Sequence, residues 1–184
     1  MLLGIAGALR AESTNRKLLR EAARLYGGPF TEADICMPLF DEDLEIAEGI
    51  PVEAQRLFDQ IAASKAVVIA SPEYNKSIPG GLKNALDWVS RIKGNPWQDK
   101  PVALIGAAAG REGGARANFA LRLAMTPFRP RLLTGPEVQV ANARNEFDSD
   151  GRLLNELNLK NLGLLMDALK AEARRGTEAL SRTG

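Results

Sequence analysis

Two nearly unbroken apolar runs, AVVIAS at 66–71 and PVALIGAA at 101–108, constrain this chain more than any other feature. A strand with one wet face alternates apolar and polar residues; these runs do not, so both of their faces must be covered. Less continuous apolar runs stand at 1–7, 30–36 and 132–141. Between the runs the apolar spacing turns helical. Leu18, Ala22, Leu25 and Tyr26 fall at i, i+4, i+7 and i+8, and Ala54, Leu57, Phe58 and Ile61 at i, i+3, i+4 and i+7. The second spacing returns at Leu82, Ala85, Leu86 and Val89, at Ala117, Ala120, Leu121 and Ala124, and at Leu162, Leu165, Met166 and Leu169.

Strands and helices thus alternate five times, which predicts an α/β protein with a parallel sheet and helices on both faces, since each crossover must pack back on the sheet with right-handed connection. Five strands favour the flavodoxin-like three-layer sandwich of strand order 2-1-3-4-5 over a six-stranded dinucleotide sheet. The 184 residues suit one domain, expected over 1–174, with 175–184 as a frayed tail because apolar periodicity ends there. The connection 37–49, MPLFDEDLEIAEG, reads as a long acidic loop.

Composition removes whole classes of chemistry. The chain has no histidine, which excludes Ser-His-Asp and Cys-His nucleophiles and leaves no HExxH-type metal site. One cysteine, Cys36, allows no internal disulfide and fits a reducing cytoplasm; its residue type predicts a small buried hydrophobe. A net charge of +1 provides no field for nucleic acid or an anionic membrane. No apolar stretch approaches the roughly 20 residues that cross a bilayer, and no basic segment precedes the first apolar run, so neither an anchor nor a signal peptide is expected.

In an open parallel sheet the ligand crevice lies beyond the carboxyl ends of the strands where their order reverses, here between the first and third. The loop at 7–15, GALRAESTN, leads into a helix whose N-terminal N–H groups would face that crevice and attract a phosphate. Arg10 can clamp an anion, and the Ser13 hydroxyl and Asn15 amide can donate to it; equally, Ser13 or Thr14 can serve only as a helix cap. The loop at 71–81, SPEYNKSIPGG, exceeds the usual two to six residues of a strand-to-helix connection and ends on two glycines, which predicts backbone permissiveness or close approach there; equally, the segment can be a rigid turn with Tyr74 packed on the sheet edge. A third loop, AAAGREGG at 107–114, is small enough to lie flat against a planar group.

These segments, GALRAESTNRKL, SPEYNKSIPGGLKNALDWVSR, KPVALIGAAAGREGGARANFALR and GPEVQV, resemble the NADPH-dependent FMN reductase family and its chromate and quinone reductase branch, over about residues 2–147. The PEYN stretch with its downstream PG-LKNA-DW is the specific part. The resemblance implies noncovalently bound FMN, NADPH or NADH as co-substrate, and a homodimer or homotetramer. By position it puts the phosphate site on Arg10, Ser13 and Asn15 with Leu18 nearby, and the isoalloxazine site on Pro72, Glu73, Tyr74 and Asn75. Ala107 and Ala108 stand where the loop over the ring's far side often carries Ser, and Ala8 where GSLR-type members carry Ser. Arg116 and Glu137 match inter-subunit ion-pair positions of the chromate reductase branch, whereas Phe119 replaces a Tyr there.

The implied activity is ping-pong transfer of hydride from a nicotinamide to FMN and on to a quinone, chromate, azo compound or free flavin, all small-molecule acceptors. Such chemistry belongs to the cofactor, so the missing histidine is no obstacle and no side chain is assigned a catalytic role. Lys76 and Arg111 flank the expected crevice mouth, within reach of a nicotinamide phosphate. The rival reading is a flavodoxin-like electron carrier, which predicts a strongly acidic surface and a Ser/Thr-rich phosphate loop; the net charge and Arg10 oppose it. A dinucleotide-binding enzyme would need GxGxxG after the first strand, where this chain has only Gly4 and Gly7.

Overall fold

A computed structural model describes the backbone of residues 1–181 and the side chains of 1–175. Its elements are β1 (Leu2–Ala6), α1 (Thr14–Tyr26), β2 (Phe30–Ala33), α2 (Glu42–Glu48), α3 (Val52–Ala63), β3 (Ala66–Ala70), α4 (Gly80–Arg91), β4 (Pro101–Ala107), α5 (Ala115–Met125), β5 (Arg131–Leu132), β6 (Val138–Val140) and α6 (Glu156–Ser181). All strand pairs are parallel, and the order is β2-β1-β3-β4-β5, with β6 also on β4. This is the order expected for a flavodoxin-like sheet.

The near-continuous runs are apolar throughout because the sheet is covered twice. Leu2, Ala6, Val68, Ala70, Ala103 and Ile105 face Leu18, Leu19, Leu162, Leu165 and Leu169 of α1 and α6. Their alternates Leu3, Ile5, Val67, Ile69, Val102 and Leu104 face Leu57, Ile61, Leu82, Leu86 and Leu121 of α3, α4 and α5. Each strand residue thus chooses a face by the two-residue period of the strand.

Three expectations change. The fifth apolar run is two short strands, β5 against Pro101 and Val102 and β6 against Ile105, Gly106 and Ala107. Pro136 lies between them and has no N–H to give the ladder, so pairing stops and resumes. The stretch 37–49 contains helix α2, which buries none of its residues and so left no apolar period to read. Its ends and charges hold it: Asp41 accepts from the Asp43 N–H at 2.9 Å, the Gly49 N–H donates to Glu45 O, and Arg91 meets Glu45 at 2.7 Å. The residues before it are latched to α4, since Pro38 O accepts from Asn84 Nδ2 and Trp88 Nε1, each at 2.8 Å. Cys36 is exposed rather than buried, because it lies beyond β2 between two residues that turn to the core, Ile35 and Met37, and so points the other way. The tail expected to fray, 175–184, falls almost wholly outside the described side chains, although α6 runs on to Ser181.

Candidate functional site

The exits of the central strands are bonded to one another. Gly7 N–H donates to Ala70 O at 2.8 Å, Ser71 N–H to Ile105 O at 3.0 Å, and Ala108 N–H to Val140 O at 3.0 Å. The three loops singled out in the sequence therefore leave one edge of the sheet, and the first two leave adjacent strands in register, Ala6 beside Ala70.

Ser13 occupies the N-cap of α1, where its Oγ accepts from the Asn15 N–H at 3.2 Å. The capping reading of Ser13 is therefore realised. Asn15 serves a different end from the one its amide suggested. Its side chain is buried and pairs with both backbone groups of Ala107, Nδ2 donating to the carbonyl at 2.8 Å and Oδ1 accepting from the N–H at 2.9 Å. It braces the first loop to the third. Leu18 lies wholly inside the core and sets the position of α1 instead of lining the crevice. What remains open at this loop is its backbone: the N–H groups of Leu9, Arg10, Ala11 and Glu12 donate to nothing in the described chain, and the exposed Arg10 guanidinium has no partner there. A run of free N–H groups, a helix N-terminus and an unpaired cation are the donors an anion would need.

The second loop is built around a tight turn. Tyr74 and Ser77 exchange both backbone hydrogen bonds, at 2.9 and 3.0 Å, and Asn75 and Lys76 between them have φ of 50° and 67°. Two successive left-handed residues make a type I′ turn, which explains an Asn at its first corner. The turn uses the N–H groups of Tyr74 and Ser77 and leaves those of Asn75 and Lys76 free. Tyr74 is half exposed and Pro72 buried. Glu73 reaches across to α5, where its Oε2 accepts from the Arg116 N–H at 3.1 Å; the Arg116 side chain lies 3.7 Å from Oε1 and 2.6 Å from Glu112. Arg116, expected to serve a subunit contact, is thus paired within the chain, while Glu137 and Phe119 are exposed. Gly80 and Gly81 admit no special approach: neither has a positive φ, and a methyl on either meets nothing nearer than the 3.9 Å to Leu9.

Glycine is required in the third loop instead. Gly113 has φ of 61°, and a side chain there would run into the backbone of Gln139 at 2.5 Å. Gly114, at φ 96°, is the residue from which α5 starts. Ala108 spends its N–H on Val140 O and its carbonyl on the Ala143 N–H, so only its methyl is left to meet a ligand. Lys76 and Arg111 are exposed. Sequence reasoning missed two residues at this edge: Ser71, whose Oγ donates to Pro72 O at 3.0 Å, and Gln139, whose carboxamide is buried without a partner. A polar residue inside the apolar run VQV was the signal for the second.

This edge fits a flat group with a phosphate arm. The free N–H run with Arg10 suits the phosphate, the free Asn75 and Lys76 N–H groups suit carbonyl or ring-nitrogen acceptors, and the small-residue loop leaves room for a plane.

Comparison with known proteins agrees. The family model for NADPH-dependent FMN reductases matches residues 1–145. An NAD(P)H-dependent FMN reductase of Pseudomonas aeruginosa is 42% identical over 177 residues, 95% of each chain. A quinone reductase of Escherichia coli K12 is 34% identical over 86% of this chain and 87% of its own. Among solved structures, the flavoenzyme NAD(P)H:(acceptor) oxidoreductase FerB of Paracoccus denitrificans superposes with a TM-score of 0.84 at 32% identity, over 95% of this chain and 97% of that one. The sheet order, the three loops and these matches agree, and the chain belongs to the NADPH-dependent FMN reductase family.

Proposed function

We propose that this protein is an FMN-dependent NAD(P)H oxidoreductase that passes electrons from a nicotinamide to a small-molecule acceptor, with a quinone as the favoured acceptor and free flavin close behind. The observation that carries the reading is the open row of N–H groups at Leu9–Glu12 beside the unpaired Arg10, facing the same edge as the Tyr74–Ser77 turn. Arg10 and the N-terminus of α1 would hold the phosphate, with Ser13 and Asn15 keeping that helix end in place. Pro72, Glu73, Tyr74 and Asn75 would form the wall for the ring, with Ala108 opposite. Bound FMN supplies the two-electron chemistry, which no side chain here needs to perform.

Nicotinamide and acceptor would use the same open face in turn, a ping-pong order. Lys76 and Arg111 stand ready for a nicotinamide phosphate. Chromate and azo compounds are further acceptors consistent with an open face. The domain would span 1–174, function in the cytoplasm, and assemble as a homodimer or homotetramer. The relatives' own names, FMN reductase and quinone reductase, support the acceptor classes. No described helix is long and apolar enough to cross a membrane.

The test is steady-state NADPH oxidation with benzoquinone and with free FMN as acceptors. Parallel double-reciprocal lines and turnover with either acceptor support the reading; FMN retention without acceptor-dependent NADPH oxidation would replace it with the electron-carrier alternative.

A further inference from the structure

Three polar groups at the carboxyl edge of the sheet lack partners, and they lie together. Both polar atoms of the Gln139 carboxamide are buried without a hydrogen bond. The carbonyls of Ser71 and Gly113, both in buried residues, accept from no donor in the described chain. The three converge above Gly106, the residue that faces Gln139 across β4 and β6. The point where a Gly106 Cβ would stand lies 3.1 Å from Ser71 O and 3.2 Å from Gly113 O, and closer still to Gln139 Oε1. A side chain at 106 would fill this space; glycine keeps it for the carboxamide.

Three acceptor oxygens gathered round one point leave one another unsatisfied. The two ends of a carboxamide have the same shape, and a half-turn about the terminal torsion exchanges them. We propose that Gln139 turns its NH2 group onto Ser71 O and Gly113 O, and that this tie is a positioning device for the flavin site. One N–H would go to the residue that opens the second loop and the other to the turn that opens α5. Glu73 already joins the same two loops through the Arg116 N–H. The two ties together would fix the spacing between the walls that take the ring. Buried polar groups in native proteins are nearly always satisfied, which is the physical ground for the assignment. Gln139 acts through the loops and touches no reacting atom.

This inference rests on the flavin reading above, so its test has one arm with flavin and one without. FMN dissociation constants are measured by flavin fluorescence for the wild-type protein, Gln139→Met and Gln139→Glu between about pH 6 and pH 9, a range chosen because burial raises a carboxyl's pKa. Met keeps the volume and removes both donors; its Kd is expected to rise about tenfold at every pH, the scale of one or two lost hydrogen bonds. In Gln139→Glu the introduced carboxyl donates one hydrogen bond while protonated, and once ionised it is repelled by both carbonyls. The Gln139→Glu Kd, divided by that of wild type, should therefore be smallest at the acid end, below the ratio for Gln139→Met, and climb with pH. The charged groups on the surrounding loops, Glu73, Arg111, Glu112 and Arg116, are common to all three proteins and cancel in the ratio. The flavin-free arm is amide hydrogen exchange of the apoprotein over 108–118, expected to quicken in Gln139→Met. If the Met variant fails to fold, the pH trend of the Glu variant carries the test alone. A Gln139→Glu ratio that stays flat with pH, together with unchanged exchange, would overturn the tie. Failure of the wild-type protein to bind FMN would overturn the flavin reading instead, and the exchange arm would still decide on Gln139.

Discussion

Asn15 and Ala107, 92 residues apart, exchange two buried hydrogen bonds of 2.8 and 2.9 Å that lock the start of α1 to the end of β4. Removing the side chain leaves an N–H and a carbonyl without partners in a site closed to water. Asn15→Ala should therefore destabilise the protein by about 2–4 kcal/mol, since each orphaned buried group costs about 1–3. Urea unfolding measures the loss. Asn15→Asp should fare no better, because it puts a carboxylate oxygen where the amide donates to Ala107 O.

Arg10 presents the opposite case, exposed and unpaired. Arg10→Ala should leave stability within about 0.5 kcal/mol of wild type, as for a free surface residue. It should weaken FMN by about ten- to a hundredfold, the cost of losing a charge-assisted contact to phosphate. Riboflavin, which lacks the phosphate, should not discriminate between the two proteins. Fluorescence titration with both flavins checks this.

The glycines of the second and third loops should respond with opposite signs. At Gly80 a methyl meets open space in a helical residue, and Gly80→Ala should raise stability by about 0.5–1 kcal/mol. Gly113→Ala must force a side chain into positive φ and into the Gln139 backbone, and should cost more than about 1 kcal/mol. Thermal unfolding of the two variants gives the comparison.

Tyr26 governs part of the alkaline limb. Burial raises its phenol above the ordinary value of 10.0, with Arg174 pulling the other way. The unfolded chain therefore loses this proton first, and stability falls as pH rises from about 10 through the folded-state pKa. Burial lowers the Lys100 ammonium, whose Nζ donates to Ala62 O and Ser64 O, so its contribution rises with pH below its unfolded value of 10.5. Tyr26→Phe should differ from wild type by a constant amount below about pH 9 and gain on it above pH 10. Urea midpoints at both ends of that range read the effect.

The sheet was legible because β3 and β4 are buried on both faces, and burial writes itself directly into residue type. Their carboxyl ends, and hence the three loops, followed from topology alone. Helix α2 was illegible because it buries nothing; capping by Asp41 and pairing with Arg91 hold it, and such signals look the same in a loop. At the candidate site, the cap at Ser13 could be read from residue chemistry. Asn15 could not, since its partner is a backbone group 92 residues away that no local pattern reveals. Glu73 could be placed in the loop after β3, but its contact with the Arg116 N–H depends on how α5 docks.

Anaerobic titration of the FMN-loaded protein with NADPH addresses the central proposal most directly. The account predicts that the visible flavin band bleaches stoichiometrically with added NADPH and returns when a quinone is mixed in. A band that resists NADPH and bleaches only with dithionite would contradict it.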